Sequence, residues 1–177
     1  MINEDDTRLG ISTFTHIRRN VLHFNPRQLF LNILHLAALN CPFKKIRMGL
    51  YRFRGSKIGD NVHFGPLVFL EEFAPELITI KDNTDIGARV TILTHDTILF
   101  HLNPPLPEMR TQKVVIGKNC YIGSGAIILP GVEIGDNVII GAGSVVTRSI
   151  PPDCVAVGVP AKVLCSSQEW KRNHKIS

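Results

Sequence analysis

A chain of 177 residues, 44 % hydrophobic and 20 % charged, fits one soluble globular unit rather than a disordered or membrane chain. The net charge is +5 at pH 7, and the four cysteines, at 41, 120, 154 and 165, show neither a CxxC pair nor the close spacing of a disulfide framework. The acidic start MINEDDTRLG does not read as a signal peptide and the longest apolar run, Leu29–Leu39, is too short to cross a bilayer, so a cytoplasmic chain with free thiols is expected.

Ten Lys or Arg and no Asp or Glu lie between Thr7 and Lys57. Within that third, RQLFLNILHLAALN reads as a helix, started near Pro26 and stopped by Cys41-Pro42. Leu29, Ile33, Leu36 or Ala37, and Leu39 or Asn40 trace its apolar stripe. The basic run KKIRMGLYRFRGSK follows. Two readings stand for residues 1–57. Either they cap the open end of what comes next with their charges solvated, or residues 7–57 touch an anionic surface such as a membrane leaflet. No nucleic-acid motif accompanies the basic residues, so no nucleic-acid partner is expected.

From Ile58 a six-residue rhythm takes over: IGDNVH, FGPLVF, LEEFAP; then, from Ile80, IKDNTD, IGARVT, ILTHDT; then, from Ile116, IGKNCY, IGSGAI, ILPGVE, IGDNVI, IGAGSV, VTRSIP. The first position is always aliphatic or Phe, the second is Gly in seven of the twelve, and the fifth is usually small or β-branched. Strand alternation turns positions five and one to one side and position six to the other. Glycine at position two is expected to let the backbone turn a corner. Such a coil buries its apolar side only by stacking on the next, which predicts a parallel β-solenoid over residues 58–160, followed by a tail at 161–177. At three hexapeptides per coil, Tyr121 stacks on Ile139, Ile127 on Val145 and Glu133 on Pro151. The outward apolar pairs predict a subunit interface.

The rhythm breaks once. ILTHDT carries His95 at position four and Asp96 at position five, and ILFHLNPPLPEMRTQK then fits no strand period. An external loop over about 97–113 is predicted, in the kind of place where function concentrates.

The repeat, its closing run IPPDCVAVGVPAKV and the break together resemble the hexapeptide-repeat acyltransferases, the group with galactoside, maltose and polysaccharide O-acetyltransferases. The resemblance covers roughly residues 58–164. It implies a left-handed parallel β-helix, an acetyl-CoA donor, no required metal, and a homotrimer with sites between subunits, in polysaccharide biosynthesis. It also implies that His95 is the general base that takes the proton from an acceptor hydroxyl, with His101 the weaker candidate. Glu71 and Asp96 are the implied acceptor contacts. Gly123, Ser124, Ala142, Gly143, Thr147, Arg148 and Lys162 are the implied donor contacts. The acceptor is expected to be a sugar hydroxyl, with an amino-sugar amine as the nearest alternative. A carbonic-anhydrase-like metal site using His63, His95 and His101 and a non-catalytic assembly solenoid are the other classes considered.

Overall fold

The computed structural model of the chain describes residues 26–98 and 110–173, with Arg27 and Gln28 as backbone. Among these residues two helices, α1 (Pro26–Asn40) and α2 (Lys44–Phe53), precede sixteen short strands, and α3 (Ser167–Asn173) closes the described chain.

Three parallel sheets are visited in rotation. The first holds β1 (Lys57–Ile58), β4 (Ile78–Ile80), β9 (Val114–Ile116) and β12 (Glu133–Ile134). The second holds β2 (His63–Phe64), β5 (Asp85–Ile86), β10 (Tyr121–Ile122), β13 (Ile139–Ile140) and β15 (Cys154–Gly158). The third holds β3 (Phe69–Leu70), β6 (Thr91–Ile92), β11 (Ile127–Ile128) and β14 (Val145–Val146). Positions one and five of the hexapeptides fill the space between the sheets. Ile80, Ile92, Ile116, Ile122, Ile128, Ile134 and Ile140 stack as fully buried side chains, with Val90, Ala126 and Val138 between them. Fully burying such an aliphatic contributes about 1.5–3 kcal/mol, so the interior column carries the fold.

The register matches the predicted pairs Tyr121 on Ile139 and Ile127 on Val145. Apart from the coil that carries the external loop, where Ile80 pairs with Ile116, it departs from the eighteen-residue coil in two places. Phe69 pairs with Thr91, 22 positions on, because a 3-10 turn at Pro75–Leu77 enlarges the first coil. The last coil closes short: Ile134 bridges Ile150, and the Glu133 amide bonds to Ser149 Oγ, so Glu133 does not stack on Pro151.

The glycines also do different work from that expected. The corner is turned at position four, where Asn61, Asn83, Asn119 and Asn137 take φ between 53° and 59° and Gly125 and Gly143 take φ of 71° and 67°. Position two needs Gly for contact: a Cβ on Gly87 would lie 2.6 Å from the Ser124 amide nitrogen of the next coil. Past the last coil, residues 161–166 are no loose tail. As β16 (Ala161–Ser166) they pair antiparallel with β15.

The basic helix α2 closes the open end through its charges. A first strand has no preceding coil to satisfy its outer carbonyls. Arg52 donates to Ile58 O at 3.1 Å and Gly59 O at 2.6 Å in the first sheet. Arg47 donates to Phe64 O (3.1 Å) and Gly65 O in the second. Tyr51 and Arg54 donate to Val68, Leu70 and Glu71 carbonyls in the third. The capping reading had these charges solvated; Arg47 and Arg54 are instead buried, while Arg52 bonds to its carbonyls at the exposed rim. The stripe on α1 is corrected too. Leu29, Ile33 and Leu36 are 46–60 % exposed, and the helix packs inward through His35 and Ala38.

Candidate active site

The enlarged first coil places a carboxylate where the repeat would put a small corner residue. Glu71 follows β3, and its side chain is 1 % exposed. One oxygen, Oε1, accepts the amides of Glu72 (2.7 Å) and Phe73 (3.2 Å). The other, Oε2, accepts the Thr94 amide at 3.2 Å and lies 2.6 Å from His95 Nδ1. Burial pushes the Glu71 carboxyl up, but the bonds from His95, Thr94 and Phe73 outweigh it and hold it below its ordinary value. An ionised Glu71 can only accept, so the Nδ1–H of His95 donates to it and the lone pair of Nε2 is left for a substrate proton. The Phe73 ring meets the imidazole edge-on at 5.3 Å, while about a quarter of the His95 side chain stays exposed.

Glu71 thus sits behind His95 with both oxygens engaged, which corrects its expected place at the acceptor. Asp96 stays half-buried beside the break, where Oδ1 accepts the Ile98 amide at 2.9 Å and turns the chain outward. The loop has a defined base: β7 (His95–Asp96) pairs antiparallel with β8 (Arg110–Thr111). Residues 99–109 between them, with His101, lie outside the described residues.

The expected donor residues fall at two corners. Ser124, Ala142 and Gly143 share the exposed corner between the second and third sheets, where the Gly143 amide bonds to Ser124 O at 2.9 Å. A shallow groove lined by Pro66, Leu67, Ala88, Arg89, Ser124 and Gly125 runs along it. Lys162 reaches the same end, since it pairs with Val157 while the Gly158 amide bonds to Ser144 Oγ at 3.1 Å. Gly123 is buried, because the Ala142 backbone of the next coil occupies its side-chain position. That corrects its expected place among donor contacts. Thr147 and Arg148 are exposed at the corner between the third and first sheets. That corner also carries His95: Leu93 bonds to Ile128 O, and Leu129 above it to Val146 O. The two corners are six residues apart along a coil, a span of at most about 20–22 Å for extended backbone.

His63 lies elsewhere. It faces outward from the second sheet, 2.9 Å from Asp85, so the structure does not bring it to His95. Among the described residues no cluster of three His, Cys, Asp or Glu is placed to hold a metal ion. The Glu71–His95 pair was the feature that sequence reading missed. Its signal was present in the four residues by which Ile58 to Ile80 exceeds one coil.

Known proteins share this repeat and fold. The profile of the bacterial transferase hexapeptide family (six repeats) matches residues 113–148. The chain is 30 % identical over 169 residues to the Bacillus subtilis protein named "Putative acetyltransferase YvoF", covering 95 % of this chain and 93 % of that one. It is 40 % identical over 113 residues to the Escherichia coli galactoside O-acetyltransferase, covering 60 % of this chain but only 54 % of that enzyme. A solved galactoside acetyltransferase in complex with coenzyme A superposes with a TM-score of 0.66 at 30 % identity, over 83 % of this chain and 84 % of that one. With a repeat match, a relative matched over nearly its full length and a shared fold, the chain belongs to the hexapeptide-repeat acetyltransferases.

Proposed function

We propose that the chain winds as a left-handed parallel β-helix, assembles as a trimer, and moves the acetyl group of acetyl-CoA to a hydroxyl of a sugar or glycan precursor. The observation that carries the reading is the buried Glu71 carboxylate 2.6 Å from His95 Nδ1. Nε2 accepts the hydroxyl proton as the oxygen attacks the thioester carbonyl. The tetrahedral intermediate then collapses, the carbon–sulfur bond breaks, and the imidazolium proton goes to the leaving thiolate. Glu71 fixes the tautomer and balances the imidazolium. A positioned base of this kind is worth about 10²–10⁴ in rate.

Donor binding is assigned to the Ser124, Ala142 and Gly143 corner with Lys162, and to Thr147 and Arg148. Small side chains there leave backbone accessible to the pantetheine arm, and the cations suit the phosphates. Coenzyme A in the galactoside acetyltransferase structure supports a coenzyme A thioester as the donor. The outward pairs Tyr121–Ile139 and Ile127–Val145 supply the subunit contacts, which bring the donor corner of one chain to the His95 corner of the next. Glycan acceptors are supported by the galactoside O-acetyltransferase of Escherichia coli.

Transfer of radiolabelled acetyl from acetyl-CoA to a panel of sugars and methyl glycosides tests the reading. Wild type is expected to label at least one acceptor. His95→Ala should lose that transfer while acetyl-CoA still raises its melting temperature, and Lys162→Ala should raise the KM for acetyl-CoA. Full transfer by His95→Ala would place the base elsewhere.

A further inference from the structure

The proposed base has a support that reaches back into the N-terminal helices. Arg54, at the end of α2, is 4 % exposed, and its guanidinium donates to Leu70 O at 3.4 Å and Glu71 O at 3.2 Å. These are successive outer carbonyls at the bend where Glu71 leaves β3. A third contact, 2.9 Å, joins Arg54 to His35 Nδ1 on α1. A guanidinium has no acceptor, so this nitrogen of His35 accepts and the ring proton sits on Nε2, 3.7 Å from Glu72 Oε1. The His35 ring packs edge-on against Phe69 of the third sheet at 4.9 Å. The guanidinium is therefore held by two helices and holds, in turn, the peptides that carry Glu71.

The remaining bonds of Glu71 explain why that grip matters. Its Oε1 bonds, to the Glu72 and Phe73 amides, lie within the bend and move with it. Its Oε2 bonds, to the Thr94 amide and His95, cross to the next coil and hold only while the bend is correctly turned. Arg54 fixes that turn from the opposite side.

We infer that Arg54, backed by His35, is a positioning residue for the base: it sets the bend so that the Glu71 carboxylate meets Nδ1 of His95. The inference rests on the reading of Glu71 and His95 as a working pair. Arg47 supplies a matched control. It is a buried arginine of the same helix that caps carbonyls of the second sheet, and its bonds go to Cys41, Phe64 and Gly65.

The test needs no acceptor. In full-length protein labelled with 15N-histidine, the His95 signals are assigned by their loss in His95→Ala, and NMR reads which ring nitrogen carries the proton. Wild type and Arg47→Met are expected to show His95 protonated on Nδ1 alone. Arg54→Met should lose that single tautomer and show exchange between the Nδ1 and Nε2 forms. If Arg54→Met does not fold, Arg54→Lys carries the test, because an ammonium can bond to one carbonyl but not grip both. It should show a detectable Nε2 population. A Nδ1 tautomer that survives unchanged in Arg54→Met, or in Arg54→Lys where that variant stands in, overturns the inference alone. So does equal loss in Arg47→Met, which would mean general loosening of the cap. A wild-type His95 protonated on Nε2 overturns the pair itself and the inference with it.

Discussion

His35 should make the protein lose stability on mild acidification, before most carboxylates titrate. Burial, and then the adjacent Arg54 charge, pull its pKa from 6.5 down to about 4, with Glu71 opposing. Above pH 6.5 the ring is neutral whether the chain is folded or not, and the full stability is present. Between pH 6.5 and about 4 the unfolded chain binds a proton that the native chain refuses, so stability falls with pH. Below that range the native ring is protonated too and the loss is complete. The gap from 6.5 to about 4 corresponds to about 3 kcal/mol. In a chain of this length that amounts to roughly 6–12 °C in melting temperature. His35→Gln keeps an oxygen that can accept from Arg54 but does not titrate. Thermal unfolding of both proteins, at one protein concentration across pH 7 to 4, should show the wild-type midpoint falling further than that of the variant by most of this amount. Parallel curves would refute the reasoning, because they would mean that His35 is protonated as easily in the fold as outside it.

Two further outcomes follow from the coils. Gly87→Ala should destabilise by about 1–3 kcal/mol, since its Cβ meets backbone 2.6 Å away, while Gly125→Asn should be tolerated: Leu67 and Arg89 take φ of 57° at the same corner of other coils, and a Cβ on Gly125 would meet the Gly143 amide nitrogen only at 4.0 Å. Urea denaturation of both variants checks the contrast, and equal costs would refute the separate roles given to positions two and four. If donor and base corners meet between subunits, refolding an inactive His95→Ala chain together with a donor-deficient Lys162→Ala chain should restore transfer beyond either alone. Mixed assemblies no more active than the separate proteins would place both corners in one chain.

Much of the fold was legible because its cause is local and repeated. An aliphatic side chain every sixth residue, with small partners at position five, leaves little choice but stacked coils, and Tyr121 and Ile127 found their expected partners by counting alone. Counting failed where the coil length changes, at Pro75–Leu77 and between Glu133 and Ile150. There, a few residues shift everything downstream. The helices were legible as helices but not in their orientation. An apolar stripe at Leu29, Ile33 and Leu36 predicts burial, yet the orphaned carbonyls of the first coil demanded the arginines of α2, and α1 came to rest on His35. The site was half legible. His95 announced itself by breaking the ladder, whereas Glu71 is 24 positions earlier and meets it only because two coils stack.

A double-mutant cycle on Glu71 and His95 tests the central claim most directly. The kcat for acetyl transfer is to be compared in wild type, Glu71→Gln, His95→Ala and the double variant. If the carboxylate acts through the imidazole, each single change should lower kcat and the double variant should be no slower than His95→Ala. Losses that multiply, or a Glu71→Gln enzyme at the wild-type rate, would contradict a paired base.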